Sequence, residues 1–261
     1  MPMLLPSMTY KEMYDCLAAD FDKVKLKKEY LLPRVVKELK KEMRFPAWRC
    51  YEYTIPSTGN KYVIFFYADN KFSVENPKTD YFCLAYDDEG RNVIKWSARR
   101  FVPDGGEMML LREIQLYTTH FFARYKERWL NKEPRYKDIS LNANDVACIY
   151  LSRNKDKAMP IEMNDEINRR LDKYGEGAMY GYRVRDGFCF TQTDMQLVKS
   201  ENSKERPIAQ YVVYKTFMNE SDMANTQLLA IDKGCYQSWL QYQRTMQEKL
   251  QSGNTTLMLE K

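Results

Sequence analysis

From Trp48 onward the apolar residues stop recurring every three or four positions and begin to recur every two. A two-residue period belongs to strands, because successive side chains on a strand point to opposite faces of a sheet. Tyr51 to Ile55 and Tyr62 to Tyr67 read as two strands joined through the turn-forming stretch 56–60. Tyr81 to Tyr86 and Asn92 to Trp96 read as a hairpin that turns at Asp87, Asp88, Glu89 and Gly90. The strongest breaker in the chain is Pro103-Asp104-Gly105-Gly106. It divides an expected N-terminal region of helices and β-hairpins, 1–105, from an expected α+β domain, 106–261. Beyond it Met108, Leu110, Ile114 and Leu116 alternate as on a half-buried strand, interrupted by Arg112. A meander over about 178–218 follows later: Met179 to Arg185 and Phe188 to Met195 flank the hairpin dipeptide Asp186-Gly187, and Ala209 to Phe217 is its third strand.

Helices frame these strands. Thr9 and Glu12 have capping-box spacing, and Met13, Leu17, Phe21 and Val24 then share a helical face. Pro33 is expected to open a second helix whose apolar side is Leu32, Val35, Val36, Leu39 and Met43. Thr118 and Thr119 can cap a helix over roughly 120–131. Asp145 to Leu151 reads as a short helix, and Pro160 to Tyr174 as a longer one ended by Gly175. Two C-terminal helices are expected, one near Ser221 and one from Cys235 to Leu250. The fold class is therefore α+β: an antiparallel meander with packed helices.

The chain has 261 residues, 44% of them hydrophobic, enough to build a core without disulfides or metal. Its six cysteines are scattered, no CxxC pair occurs, and there is one histidine. That argues against a Cys/His zinc site and against a disulfide framework. The cysteines read as small buried hydrophobes in a reducing compartment. Residues 1–6 lack the basic and apolar blocks of a signal peptide, and no window has the apolar length of a membrane span, so the cytoplasm is the expected location. No metal or cofactor site is expected. The net charge of +5 is small for this length, so only local clustering can argue for nucleic acid.

The clearest cluster surrounds the single histidine. On the helix after Thr119, His120, Arg124, Glu127 and Arg128 fall in one sector and Phe121, Phe122, Tyr125 and Trp129 in another. An imidazole that titrates near neutrality can move a proton, and fixed guanidinia can stabilise the charge that builds up as a phosphodiester is cleaved. The helix N-terminus and the arginines would both hold His120 toward its neutral form. A second cluster is the stripe Arg34, Lys37, Lys41 and Arg44, spaced to track a phosphate backbone. The competing explanation for both is a solvated, ion-paired helix face.

A strand followed by Thr119, His120, Arg124, Glu127 and Arg128 at a helix start resembles the opening of small metal-independent ribonucleases, the superfamily that groups barnase, EndoU, colicin-type and RelE-like toxins. The resemblance covers about 110–218. It implies a helix before an antiparallel meander, His120 as general acid or base, Arg124 and Arg128 on the phosphate, and Thr216 as a supporting hydrogen bonder. It also implies added positive charge from Arg183 or Arg185, and Glu127 or a tyrosine as the second proton-transfer group. Three functional readings follow. One is a metal-independent endoribonuclease or toxin-like RNA-processing protein. Another is a non-catalytic accessory protein of a mobile element or phage, binding nucleic acid or a protein partner or inhibitor. The last is a structural or interaction module.

Overall fold

The structure is a computed structural model that describes residues 3–5, 7–87, 90–101, 109–154, 159–162, 180–199 and 205–251. Helix α1, Tyr10–Ala19, starts at the expected capping box: the Glu12 amide donates to Thr9 Oγ1 and the Thr9 amide to the Glu12 carboxylate. Helix α2, Phe21–Leu39, begins well before Pro33, which is a correction to the expected helix start. Val24, Leu31, Val35 and Leu39 form one buried face along its whole length, and Pro33 lies on the exposed side. The burial of that face outweighs the hydrogen bond that a proline removes.

Nine strands follow among the described residues: β1 Ala47–Thr54, β2 Lys61–Ala68, β3 Lys78–Asp87, β4 Gly90–Phe101, β5 Met109–Tyr117, β6 Met159–Glu162, β7 Tyr180–Val184, β8 Gly187–Lys199 and β9 Glu205–Met218. Helices α3, Thr119–Arg128, and α4, Ala143–Asn154, lie between β5 and β6, and α5, Asn225–Gln251, closes the described chain. The strand order is β1-β2-β3-β4-β5-β9-β8-β7-β6. Two antiparallel meanders thus join through one parallel pair, β5 beside β9, with Arg112 opposite Ala209 and Tyr117 opposite Tyr214. The expected division at 105 falls between β4 and β5, which pair with each other, so one sheet runs across it.

Three further expectations differ from what forms. Residues 159–162 are a strand, paired with β7, where a helix from Pro160 was expected; the rest of that helix lies outside the described residues. The short helix at 145–151 extends over 143–154. The two C-terminal helices are a single one, α5, preceded by a 3-10 turn at Glu220–Asp222.

Alternation along each strand feeds two cores. Val63, Phe65, Tyr67, Phe82, Val93, Tyr117 and Tyr214 pack on one face with Phe121, Phe122 and Tyr125 of α3 and Val146 to Leu151 of α4. Tyr62, Ile64, Phe66, Cys83, Ile94 and Ile114 pack on the other with α1 and α2. A third cluster joins Phe188 and Phe190 of β8 to Ala230 and Ile231 of α5. Cys189, between those two phenylalanines, belongs to the α3–α4 core, so α5 covers the same face as α1 and α2. The molecule is a sheet with helices on both faces. All six cysteines are free thiols, and Cys16, Cys83, Cys148 and Cys189 are buried.

Candidate nucleic-acid interface

Helix α3 is held as its sequence dictates. Thr118 caps it by accepting the Phe121 amide at 3.1 Å, and the Thr118 hydroxyl also donates to the Tyr214 carbonyl of β9. Phe121 and Tyr125 are fully buried, each stabilising the packed helix by about 1.5–3 kcal/mol. The Tyr125 hydroxyl donates to Asp186 at 2.8 Å. With that face fixed inward, His120, Arg124 and Glu127 are left on the outer flank with Arg128 beside them.

His120 is exposed. Its pKa is lowered from the ordinary 6.5, first by partial desolvation and then by the guanidinia of Arg124 and Arg128, with Glu127 acting in the opposite direction. The structure therefore brings these four residues together. It also commits parts of them elsewhere. Arg124 Nη1 lies 2.6 Å from Glu127 Oε2, and Arg128 Nη1 donates to the Phe217 carbonyl at 2.6 Å. No carboxylate or hydroxyl among the described residues hydrogen-bonds His120.

Thr216 does not join them. It is buried, and its register partner on β8 is Phe190, which faces α5. Residues directly opposite in an antiparallel pair share a face, so Thr216 points to the side of the sheet away from α3. The cause is a bulge: the partners shift between Phe190 and Thr191, from Thr216 to Tyr214, and Lys215 is the extra residue. Arg183 is likewise turned to the α5 side, where it pairs with Glu220 and Asp232. Arg185 is exposed next to the β7–β8 turn.

The stripe on α2 lies across the sheet from α3. Arg34 pairs with Glu38 at 2.8 Å and sits over the Tyr51 ring. Lys37 is exposed on the helix, while Lys41 and Arg44 lie beyond its end at Leu39 and so do not continue its face. The two basic clusters cannot grip one short stretch of backbone together.

Sequence reasoning missed a buried carboxylate that gathers several hydrogen bonds in this half of the molecule. Asp186 accepts from Arg153 Nε and Nη2 at 2.9 and 2.7 Å, from Tyr125 and from Asn154 Nδ2. Both charged side chains are buried, and Arg153 stacks over Trp129 at 4.3 Å. Desolvation works against the Arg153 charge, yet the bonds and charge of Asp186 hold its pKa above the ordinary value. The available signal was a lone arginine ending the apolar run of α4.

Two more charges sit under the sheet face: Lys95 reaches Asp80 at 2.5 Å, and Glu113 accepts from Gln115 and Ser97. Among the described residues no three His, Cys, Asp or Glu side chains gather as a metal site, and no helix is long and apolar enough to cross a membrane. No protein-family model matches the chain, and no curated protein or solved structure is detectably similar to it.

Proposed function

We propose that this protein binds RNA through the outer flank of α3, with Arg124 and Arg128 contacting the phosphate backbone and His120 adding charge as it protonates. The observation that carries this reading is the convergence of one imidazole and two guanidinia on a single accessible helix edge. Backbone contacts of this kind give salt-dependent binding with little sequence information. Glu127 opposes it by pairing with Arg124, so it tunes the affinity downward.

A second reading, metal-independent cleavage of RNA, rests on the lowered His120 pKa. A neutral imidazole beside two guanidinia could act as a base toward a 2′-hydroxyl. Against it stands the place of Thr216, on the opposite face, which removes the expected support near the phosphate.

One experiment separates the readings. A labelled single-stranded RNA is titrated with protein at several salt concentrations, and the same samples, held in EDTA, are run on a gel for cleavage. Binding alone predicts intact RNA and a slope of log K against log salt that falls by about 0.7 for each phosphate that Arg124→Gln or Arg128→Gln leaves unneutralised. Glu127→Gln should tighten binding, and Thr216→Val should leave it unchanged. Cleavage that disappears in His120→Ala would establish the enzyme reading instead. Binding that is insensitive to salt and to both arginines would overturn both.

A further inference from the structure

Along the flank of α3 that carries Ala123 and Lys126, a pocket of about 260 Å³ opens between α3, α4 and the start of β4. Its floor is Val93, Phe122 and Val146, all buried, and Leu141 forms part of the wall. Arg91 and Lys126 stand at its edge, both half-buried. The charge here is unlike that on the outer flank, where Arg124 is matched by Glu127. Arg91 donates through Nη2 to the Asn144 side-chain carbonyl, and Lys126 donates to the Leu141 main-chain carbonyl at 3.0 Å. Neither pairs with a carboxylate among the described residues; Glu52 is one amide removed, accepting from Asn144 Nδ2. Asn142 already satisfies the first amides of α4, so the positive character comes from the two side chains.

We infer that this pocket receives one unstacked nucleobase of the RNA, with Arg91 and Lys126 on the phosphate of that nucleotide. The inference rests on the RNA-binding reading and extends it to a base-binding site. The apolar floor offers van der Waals contact to a flat base, and the pocket volume suits a base better than a drug-sized ligand. RNA recognition commonly uses bases splayed out of the stack. Two cations that no described carboxylate neutralises, set beside an apolar cavity, are complementary to a group that is flat and apolar at one end and anionic at the other. The pocket and the outer flank share one helix, so a backbone crossing α3 reaches both.

The test uses single-stranded RNA carrying one 2-aminopurine, whose fluorescence rises when the base leaves its stack. Wild-type protein should give a saturable rise. Ala123→Phe, an exposed helix position on the pocket wall, should fill the space, abolish the rise and weaken binding about tenfold. Lys126→Gln should weaken binding without changing the helix surface. Arg124→Gln with Arg128→Gln should weaken binding yet keep the rise at saturation. A rise and affinity unchanged in both Ala123→Phe and Lys126→Gln would overturn the pocket and leave RNA binding standing. Absence of salt-sensitive RNA binding by the wild-type protein would overturn both. Displacement of the RNA by micromolar AMP would make this a mononucleotide site and overturn the RNA assignment.

Discussion

Asp186→Asn replaces a carboxylate oxygen by an amide nitrogen and leaves the side-chain volume almost unchanged, so its cost is that of one buried charge. In the native chain four hydrogen bonds at 2.7–2.9 Å converge on that carboxylate, two of them from Arg153. Summing such bonds would overstate the effect, since each replaces a bond to water and the pair has already lost its hydration. The relevant quantity is the guanidinium left behind, buried and uncompensated, for which about 3–5 kcal/mol is expected. With a urea dependence near 3 kcal/mol per molar for a chain of this size, the unfolding midpoint should fall by roughly 1–1.7 M. Arg153→Met removes the other partner and should also destabilise at neutral pH. The two variants should part at lower pH. A stranded carboxylate can take up a proton and become neutral, whereas a stranded guanidinium cannot lose one. Urea unfolding followed by circular dichroism at pH 7 and pH 5 should show the Arg153→Met deficit shrinking on acidification and the Asp186→Asn deficit unchanged. A loss below about 1 kcal/mol for Asp186→Asn, or deficits that move in parallel with pH, would refute this reasoning.

Two further outcomes are expected. Gly187 has φ +152°, and a Cβ there would lie 2.3 Å from the Met218 carbonyl oxygen and 2.7 Å from Phe217 Cζ; Gly187→Ala should therefore fail to fold or unfold far below the wild-type midpoint in a thermal melt, and a melt within a few degrees of wild type would contradict this. Because the chain has one histidine, its ring protons can be followed alone by NMR: His120 should titrate below 6.5 and move upward in Arg124→Gln and Arg128→Gln. The linked stability runs in one direction: as pH falls through 6.5 the unfolded chain takes up this proton first, so folding is penalised progressively until the folded midpoint is passed. A midpoint that stays put in both variants would show that the guanidinia do not reach the ring.

Local periodicity carried most of the strands and α3, because a half-buried strand or helix writes its own period into a few residues. Pairings made over long sequence distances were less visible. Nothing near β5 announces that β9 will lie beside it in parallel, and the pairing of Arg153 with Asp186 spans 33 residues. Strand β6 has four residues, one of them Pro160, and sits at the sheet edge where a proline is tolerated; the sequence there carries a helical pattern instead. Pro33 misled for the opposite reason, since a rule about helix starts was overridden by the long buried face of α2.

The fate of Thr216 shows how a small irregularity decides a functional reading. Val212 and Tyr214 face α3, and counting onward by twos would put Thr216 on that face as well, under the helix that carries His120. The extra residue Lys215 reverses the parity: Phe217 takes the inward place beside Tyr125, and Thr216 passes to the α5 side. A one-residue slip moves every later side chain to the opposite face, and no local composition signal distinguishes a bulge at Lys215 from continuous strand. Beyond the last residue of β9 that pairs with β5, the Phe217 carbonyl accepts from Arg128. One irregularity therefore places the Thr216 hydroxyl on the face of the sheet away from α3, while Phe217 fills the inward place against Tyr125 and lends its carbonyl to Arg128.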